Sequence, residues 1–157
     1  MNKKYLNAAQ GISKKLPEYG AKLVLLIGSV YGEKENPNDL DLGCIFAKEN
    51  PLRNEDFRKS IINKMDEKYK IKLDLIDINE GFVEDLIKLF NENPQDLIYD
   101  LCWKVQDSAK DQWHGWPLAW ILGENAKEKL HPYKMFEEGF KILYGQEYLT
   151  GLRKKIL

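Results

Sequence analysis

Apolar residues recur along this chain in two rhythms, and the changes between them mark out its elements. Over residues 2–16, Tyr5, Leu6, Ala9, Ile12 and Leu16 stand three or four positions apart with polar residues between, which predicts a helix. Pro17 and Gly20 end it. Lys22 to Ile27 is almost wholly apolar and short, the mark of a buried strand. Glu33 to Asn38 is polar, with Asn36-Pro37-Asn38 as a turn signal. Leu40 to Phe46 predicts a second strand, forming a hairpin-like unit with the first, and Asn50-Pro51 breaks the chain again. Residues 54–68 return to helical spacing through Phe57, Ile61, Ile62 and Met65. Ile71 to Ile78 predicts a third strand, and Asn79 to Phe90 an amphipathic helix presenting Phe82, Val83, Leu86, Ile87 and Phe90.

Beyond this point the pattern stays helical. Pro94 suits the first position of a helix that would bury Leu97, Ile98, Leu101, Cys102 and Val105. Pro117 predicts the start of another, running towards Leu130 and ended by His131-Pro132. Gly139 to Gly145 reads as a short strand and Tyr148 to Ile156 as a basic final helix. Helices interleaved with three or four strands point to an α/β or α+β fold, one sheet covered by helices. No internal repeat or low-complexity linker interrupts it.

Composition narrows the class. At 157 residues, 43% hydrophobic and 31% charged, the chain reads as one ordinary soluble domain with room for a core. Lys+Arg 24 against Asp+Glu 25 gives net −1, so no global charge favours nucleic acid. No apolar run approaches the roughly 20 residues of a membrane span. Met1-Asn2-Lys3-Lys4-Tyr5 is not followed by a signal-peptide core, and the expected location is cytoplasmic. Cys44 and Cys102 are expected to be buried thiols.

The candidate chemistry lies where the strands end. Gly28-Ser29 directly follows Leu23-Val24-Leu25-Leu26-Ile27, and Asp39-Leu40-Asp41-Leu42 opens the second strand. Alternation along a strand turns Asp39 and Asp41 to one face. Adjacent carboxylates repel, and little offsets that cost except a shared cation. Asp74 lies within the third strand, in Ile71-Lys72-Leu73-Asp74-Leu75-Ile76. A small-residue turn, an Asp-x-Asp pair and a third Asp are the parts of a two-metal phosphoryl-transfer site. Asp39 and Asp41 fit the bridging pair, and Asp74 a third ligand that also accepts the acceptor hydroxyl's proton. Gly28 would let phosphates approach the backbone, with the Ser29 hydroxyl and nearby N–H groups binding their oxygens. Asp77 competes with Asp74 but faces the opposite way, and is expected to cap the strand end or a turn.

Gly28-Ser29, Asp39-x-Asp41 and Asp74 together resemble the minimal nucleotidyltransferase domain of the DNA polymerase β-like superfamily. Glu138 to Gly145, with its Leu143-Tyr144 pair, is similar to that family's last strand. The resemblance covers residues 22–78 and, less closely, 137–146. It implies a small mixed β-sheet flanked by helices, two Mg²⁺ ions, and transfer of a nucleoside monophosphate from an NTP, with ATP the expected donor. It frames residues 1–157 as one nucleotidyltransferase-like domain, with a core at about 20–80 and 137–146 and a helical, Trp-rich insertion at about 80–136. Family members often carry a basic residue soon after Gly-Ser; here Val30 and Tyr31 follow, and Lys34 arrives later. Tyr31 and Lys34 join Gly28 and Ser29 as candidate nucleotide-binding residues. The acceptor is left open between a small molecule such as an aminoglycoside, a protein side chain and an RNA 3′ end.

Two other readings stay open. Small nucleotidyltransferases include antitoxins, so a catalytically degenerate, nucleotide-binding regulator acting through a protein partner is the alternative. In the second, the acids only cap turns. Trp113, Trp116 and Trp120 either stack on a base or pack the helical segment against the sheet. An exposed patch of these rings would favour the regulator. His114 and His131 have no Cys or acid at zinc-ligand spacing. Arg153-Lys154-Lys155 is expected to offset the final helix dipole, or to meet an acidic partner or RNA.

Overall fold

The computed structural model describes residues 2–33, 37–95, 116–122 and 139–156. The protein is α+β, with a four-stranded mixed sheet and, among the described residues, six α-helices. It divides into two compact units, the first comprising Met1–Glu80 with Gly139–Gln146 and the second Gly81–Glu138 with Glu147–Leu157.

The first unit holds the sheet. Helix α1 (Lys3–Lys15) starts where the Asn2 side chain accepts the Lys4 N–H at 3.0 Å, and Lys14 and Lys15 complement its C-terminal dipole. One 3₁₀ turn, Leu16–Tyr19, follows, and Gly20 takes a left-handed φ of +99° to redirect the chain into β1 (Ala21–Ile27). A single helical turn, α2 (Gly28–Tyr31), leads to β2 (Leu40–Phe46). Asn54 caps α3 (Glu55–Tyr69) through the Phe57 N–H at 3.0 Å. Then come β3 (Leu73–Asn79) and, after the second unit's residues, β4 (Lys141–Tyr144).

The strand order is β3-β2-β1-β4. β1 runs antiparallel to β2 and to β4, while β2 and β3 are parallel. The expected hairpin-like pairing of the first two strands is therefore present. α3 supplies the crossover that parallel neighbours need. One face of the sheet presents Val24, Leu26, Leu40, Leu42, Cys44, Phe46, Leu73 and Leu75 to Ile12, Leu16, Ile61 and Met65 of the helical layer. This is the core: period two from the strands meets period three to four from α1 and α3. Cys44 is fully buried there, and burial pushes its thiol well above the ordinary value, with the Asp77 charge adding to the shift.

The second unit contains α4 (Glu80–Glu92, apart from its first residue), α5 (Trp116–Leu122) and α6 (Gln146–Lys154). Val83, Leu86, Ile87 and Phe90 of α4 are buried, as the helical spacing predicts. Arg153 has a more specific role than offsetting its own helix dipole. Its guanidinium donates to the carbonyls of Ile121 (3.0 Å) and Trp120 (3.3 Å) on α5. Among the described residues α5 covers Trp116–Leu122, and the rest of the helix expected from Pro117 towards Leu130 lies outside them. Trp120 is 4% exposed, so this ring packs rather than forming an open platform. The helix expected after Pro94, Cys102, Trp113, both histidines and the Trp116 side chain lie outside the described residues. Among the described residues, no helix is long and apolar enough to cross a membrane.

Candidate metal centre

β1 delivers the chain to Gly28, whose φ of +71° favours glycine. A second constraint excludes a side chain there. A Cβ on Gly28 would overlap the Asp41 carboxylate. Ile27 pairs with Asp41 across the β1–β2 ladder, so the missing side chain leaves the space into which the carboxylate folds. The Ser29 backbone N–H donates to that carboxylate. Gly28-Ser29 is thus the opening of a helical turn rather than a simple loop, and its first partner is an acid of the protein itself.

The acids come together through strand register. Leu40 donates to the Lys72 carbonyl at 2.8 Å, and the parallel ladder then sets Asp41 directly beside Asp74. Alternation buries Leu40, Leu42, Leu73 and Leu75 in the core and turns both carboxylates to the opposite face. Asp39 lies one residue before β2. One carboxylate oxygen from each of Asp39, Asp41 and Asp74 lies within 4.8 Å of the others. Asp39 and Asp41 are half-buried and Asp74 is exposed, so the cluster has a sheltered floor and an open side.

This crowding has an electrostatic signature. Asp41 is pushed up from 3.8 to about 7. Partial burial is the largest cause, followed by the charges of Asp39 and Asp74 and by a hydrogen bond to Asp74 that favours the protonated form. The Ser29 N–H opposes the shift but does not cancel it. A divalent cation bound beside the Asp41 carboxyl would lower it again.

The donor set fits Mg²⁺. All three ligands are hard carboxylate oxygens within 4.8 Å of one another, and oxygens around an octahedral Mg²⁺ sit about 3 Å apart when adjacent and about 4 Å when opposite, so a modest inward turn of the side chains would suit the ion. Such a site uses few protein carboxylates and leaves positions for water and substrate phosphates.

Asp77 does not cap the strand end or a turn. It pairs with Arg58 of α3, whose Nη2 and Nε reach Asp77 Oδ1 at 2.9 and 3.2 Å. The same Nη2 donates to the Leu75 carbonyl at 2.7 Å. Asp74 and Asp77 stand three positions apart, an odd step, so pleating sends them to opposite faces, and Asp77 emerges on the side that α3 covers.

Tyr31 is 38% exposed and lies close to Gly139, where an added Cβ would strike its ring and hydroxyl. Lys34 lies outside the described residues. Two further side chains position the acids. Tyr5 Oη donates to the Pro37 carbonyl at 2.9 Å, tying α1 to the segment two residues before Asp39. Asp66 accepts the Leu73 N–H at 2.8 Å and so holds the chain immediately before Asp74. Tyr5 lies on the apolar stripe of the first predicted helix, where its hydroxyl alone points to a further bond. Asp66 reads as a solvated helix residue, with no local signal of its partner. In comparisons with known proteins, no family model, no curated protein and no solved structure matches this chain.

Proposed function

We propose that the protein is a Mg²⁺-dependent nucleotidyltransferase acting in the cytoplasm. It would move a nucleoside monophosphate from an NTP, with ATP the expected donor, to an acceptor hydroxyl on a small molecule, a protein or an RNA. The supporting observation is the convergence of Asp39, Asp41 and Asp74 at the Gly28-Ser29 turn, where the absence of a side chain on Gly28 makes room for the Asp41 carboxylate. Asp39, Asp41 and Asp74 would hold two Mg²⁺ ions, which when bound neutralise charge on the phosphates. Asp74, the most exposed of the three, would accept the proton as the acceptor oxygen bonds to the α-phosphorus and the bond to the departing pyrophosphate breaks. Ser29 and Tyr31, at the mouth of the turn, and Lys34 would contact the nucleotide.

An exposed patch of Trp113, Trp116 and Trp120 would favour the regulator reading; Trp120 is buried, and the side chains of the other two lie outside the described residues. The test is thermal unfolding with each of the four NTPs, with and without Mg²⁺. Saturation at 100 times Kd stabilises a fold by about 2.7 kcal/mol. The expected result is a Mg²⁺-dependent rise in midpoint that Asp39→Ala abolishes, followed by transfer of label from α-labelled NTP. No shift with any NTP, in a protein that still melts cooperatively, would exclude the proposal.

A further inference from the structure

On the other side of the sheet from the carboxylates, α1 and α3 enclose an open groove of about 300 Å³. Its floor is apolar, built from Ile12, Ile61 and Met65. Two partly buried tyrosines, Tyr19 and Tyr69, form its walls. Gly11 explains part of this shape. A glycine inside a helix costs about 1 kcal/mol relative to alanine. Here a Cβ would overlap the Tyr69 hydroxyl, so the missing side chain lets that ring lie against α1.

The rim has the opposite character. Lys14, Lys15, Lys64 and Lys68 surround the opening, and all four are exposed. Lys15 is paired with Glu18 at 3.1 Å. Four ammonium groups less one carboxylate leave three positive charges on the lining. Among the described residues, Lys14, Lys64 and Lys68 form no ion pair with a carboxylate. Lys64 and Lys68 stand one helical turn apart on α3, where like charges repel. The chain as a whole carries net −1, so this concentration of positive charge is local.

We propose that this groove is a second ligand site, which takes a small anionic amphiphile: an apolar or aromatic body of one or two rings bearing a phosphate, sulfonate or carboxylate head. The volume lies at the lower end for small-molecule pockets. The floor and tyrosine walls receive the body, and the lysines receive the head as point-charge donors. Lys68 already lies 5.3 Å from the centre of the Tyr69 ring, which places an ammonium group beside the aromatic wall. The carboxylate cluster repels such a head unless Mg²⁺ is bound, whereas the lysines of the groove need no metal to receive it.

The test uses two fluorescent probes of nearly the same body. One is 8-anilinonaphthalene-1-sulfonate and the other its uncharged counterpart, N-phenyl-1-naphthylamine. Each is titrated into the full chain, into Lys64→Glu/Lys68→Glu, and into Asp41→Asn. Both lysines are exposed, and an unchanged circular dichroism spectrum and melting midpoint show that the reversal leaves the fold intact. The expected result is one saturable sulfonate site, weakened at least tenfold by the double reversal and unchanged in Asp41→Asn, with the uncharged probe at least tenfold weaker. Sulfonate affinity unaffected by the reversal, equal affinity for the uncharged probe, or no saturable sulfonate binding would each overturn the proposal.

Discussion

Replacing Asp41 by Asn should stabilise the folded protein at pH 8 and have little effect near pH 4. The wild-type carboxyl moves from 3.8 in an ordinary setting to about 7 in the fold. Well below 3.8 both states carry the proton, and the site costs nothing. Between there and about 7 the folded state keeps a proton that the unfolded chain has released. Above about 7 both are ionised, and the folded state bears the full repulsion of Asp39 and Asp74. Stability therefore falls as pH rises through this window. At about 1.4 kcal/mol per pH decade the full shift corresponds to roughly 4 kcal/mol. Asp41 is only half-buried, and solvent screening reduces this to about 1–2 kcal/mol. For a chain of this size that is a rise of about 2–8 °C in the midpoint of Asp41→Asn at pH 8, measured by thermal unfolding. Mg²⁺ should raise the wild-type midpoint at pH 8 by relieving the same repulsion, and should do less to the variant. A variant that is less stable than wild type at pH 8, or that gains equally at pH 4 and pH 8, would refute this account of the site.

Three other perturbations probe the surroundings. Gly28→Ala forces a Cβ into the Asp41 carboxylate at a left-handed φ, so it should cost about 1–3 kcal/mol in denaturant unfolding and abolish the Mg²⁺ effect on the midpoint. Asp77→Asn breaks the partly exposed pair with Arg58 and should cost no more than about 1 kcal/mol while leaving Mg²⁺ and NTP shifts intact, which separates this acid from Asp74. Tyr5→Phe removes the bond to the Pro37 carbonyl; a loss of about 1 kcal/mol by urea unfolding is expected, with a smaller Mg²⁺ shift because Asp39 is less firmly held.

The elements were largely legible in the chain because burial imposes a period. Leu40 to Phe46 matches β2 at both ends, and the helices before and after β3 start and stop within two residues of the expected positions. The third strand starts at Leu73 rather than Ile71, since Asp66 accepts the Leu73 N–H and Lys72 precedes the ladder. Asp77 shows where local reading stops. Its parity excluded it from the acid pair, but its partner lies nineteen positions back on a helix, and no local pattern names Arg58. Arg153 is similar: a basic helix end predicts attraction to carbonyls, while the carbonyls it reaches belong to a helix more than thirty residues earlier.

The sequence by itself determined that Asp39 and Asp41 share a face, that Asp74 and Asp77 do not, and that a small residue ends β1 beside them. These follow from bond geometry within a few residues. Tertiary structure decided the rest. Parallel pairing of β2 and β3, with Leu40 bonded to Lys72, sets Asp74 against Asp41 rather than one step away, and a single-step slip would turn its carboxylate into the core. The tight approach of Gly28 to Asp41 and the rise of that carboxyl to about 7 depend on distances between strands. The groove between α1 and α3 likewise exists only once two helices far apart in sequence pack side by side.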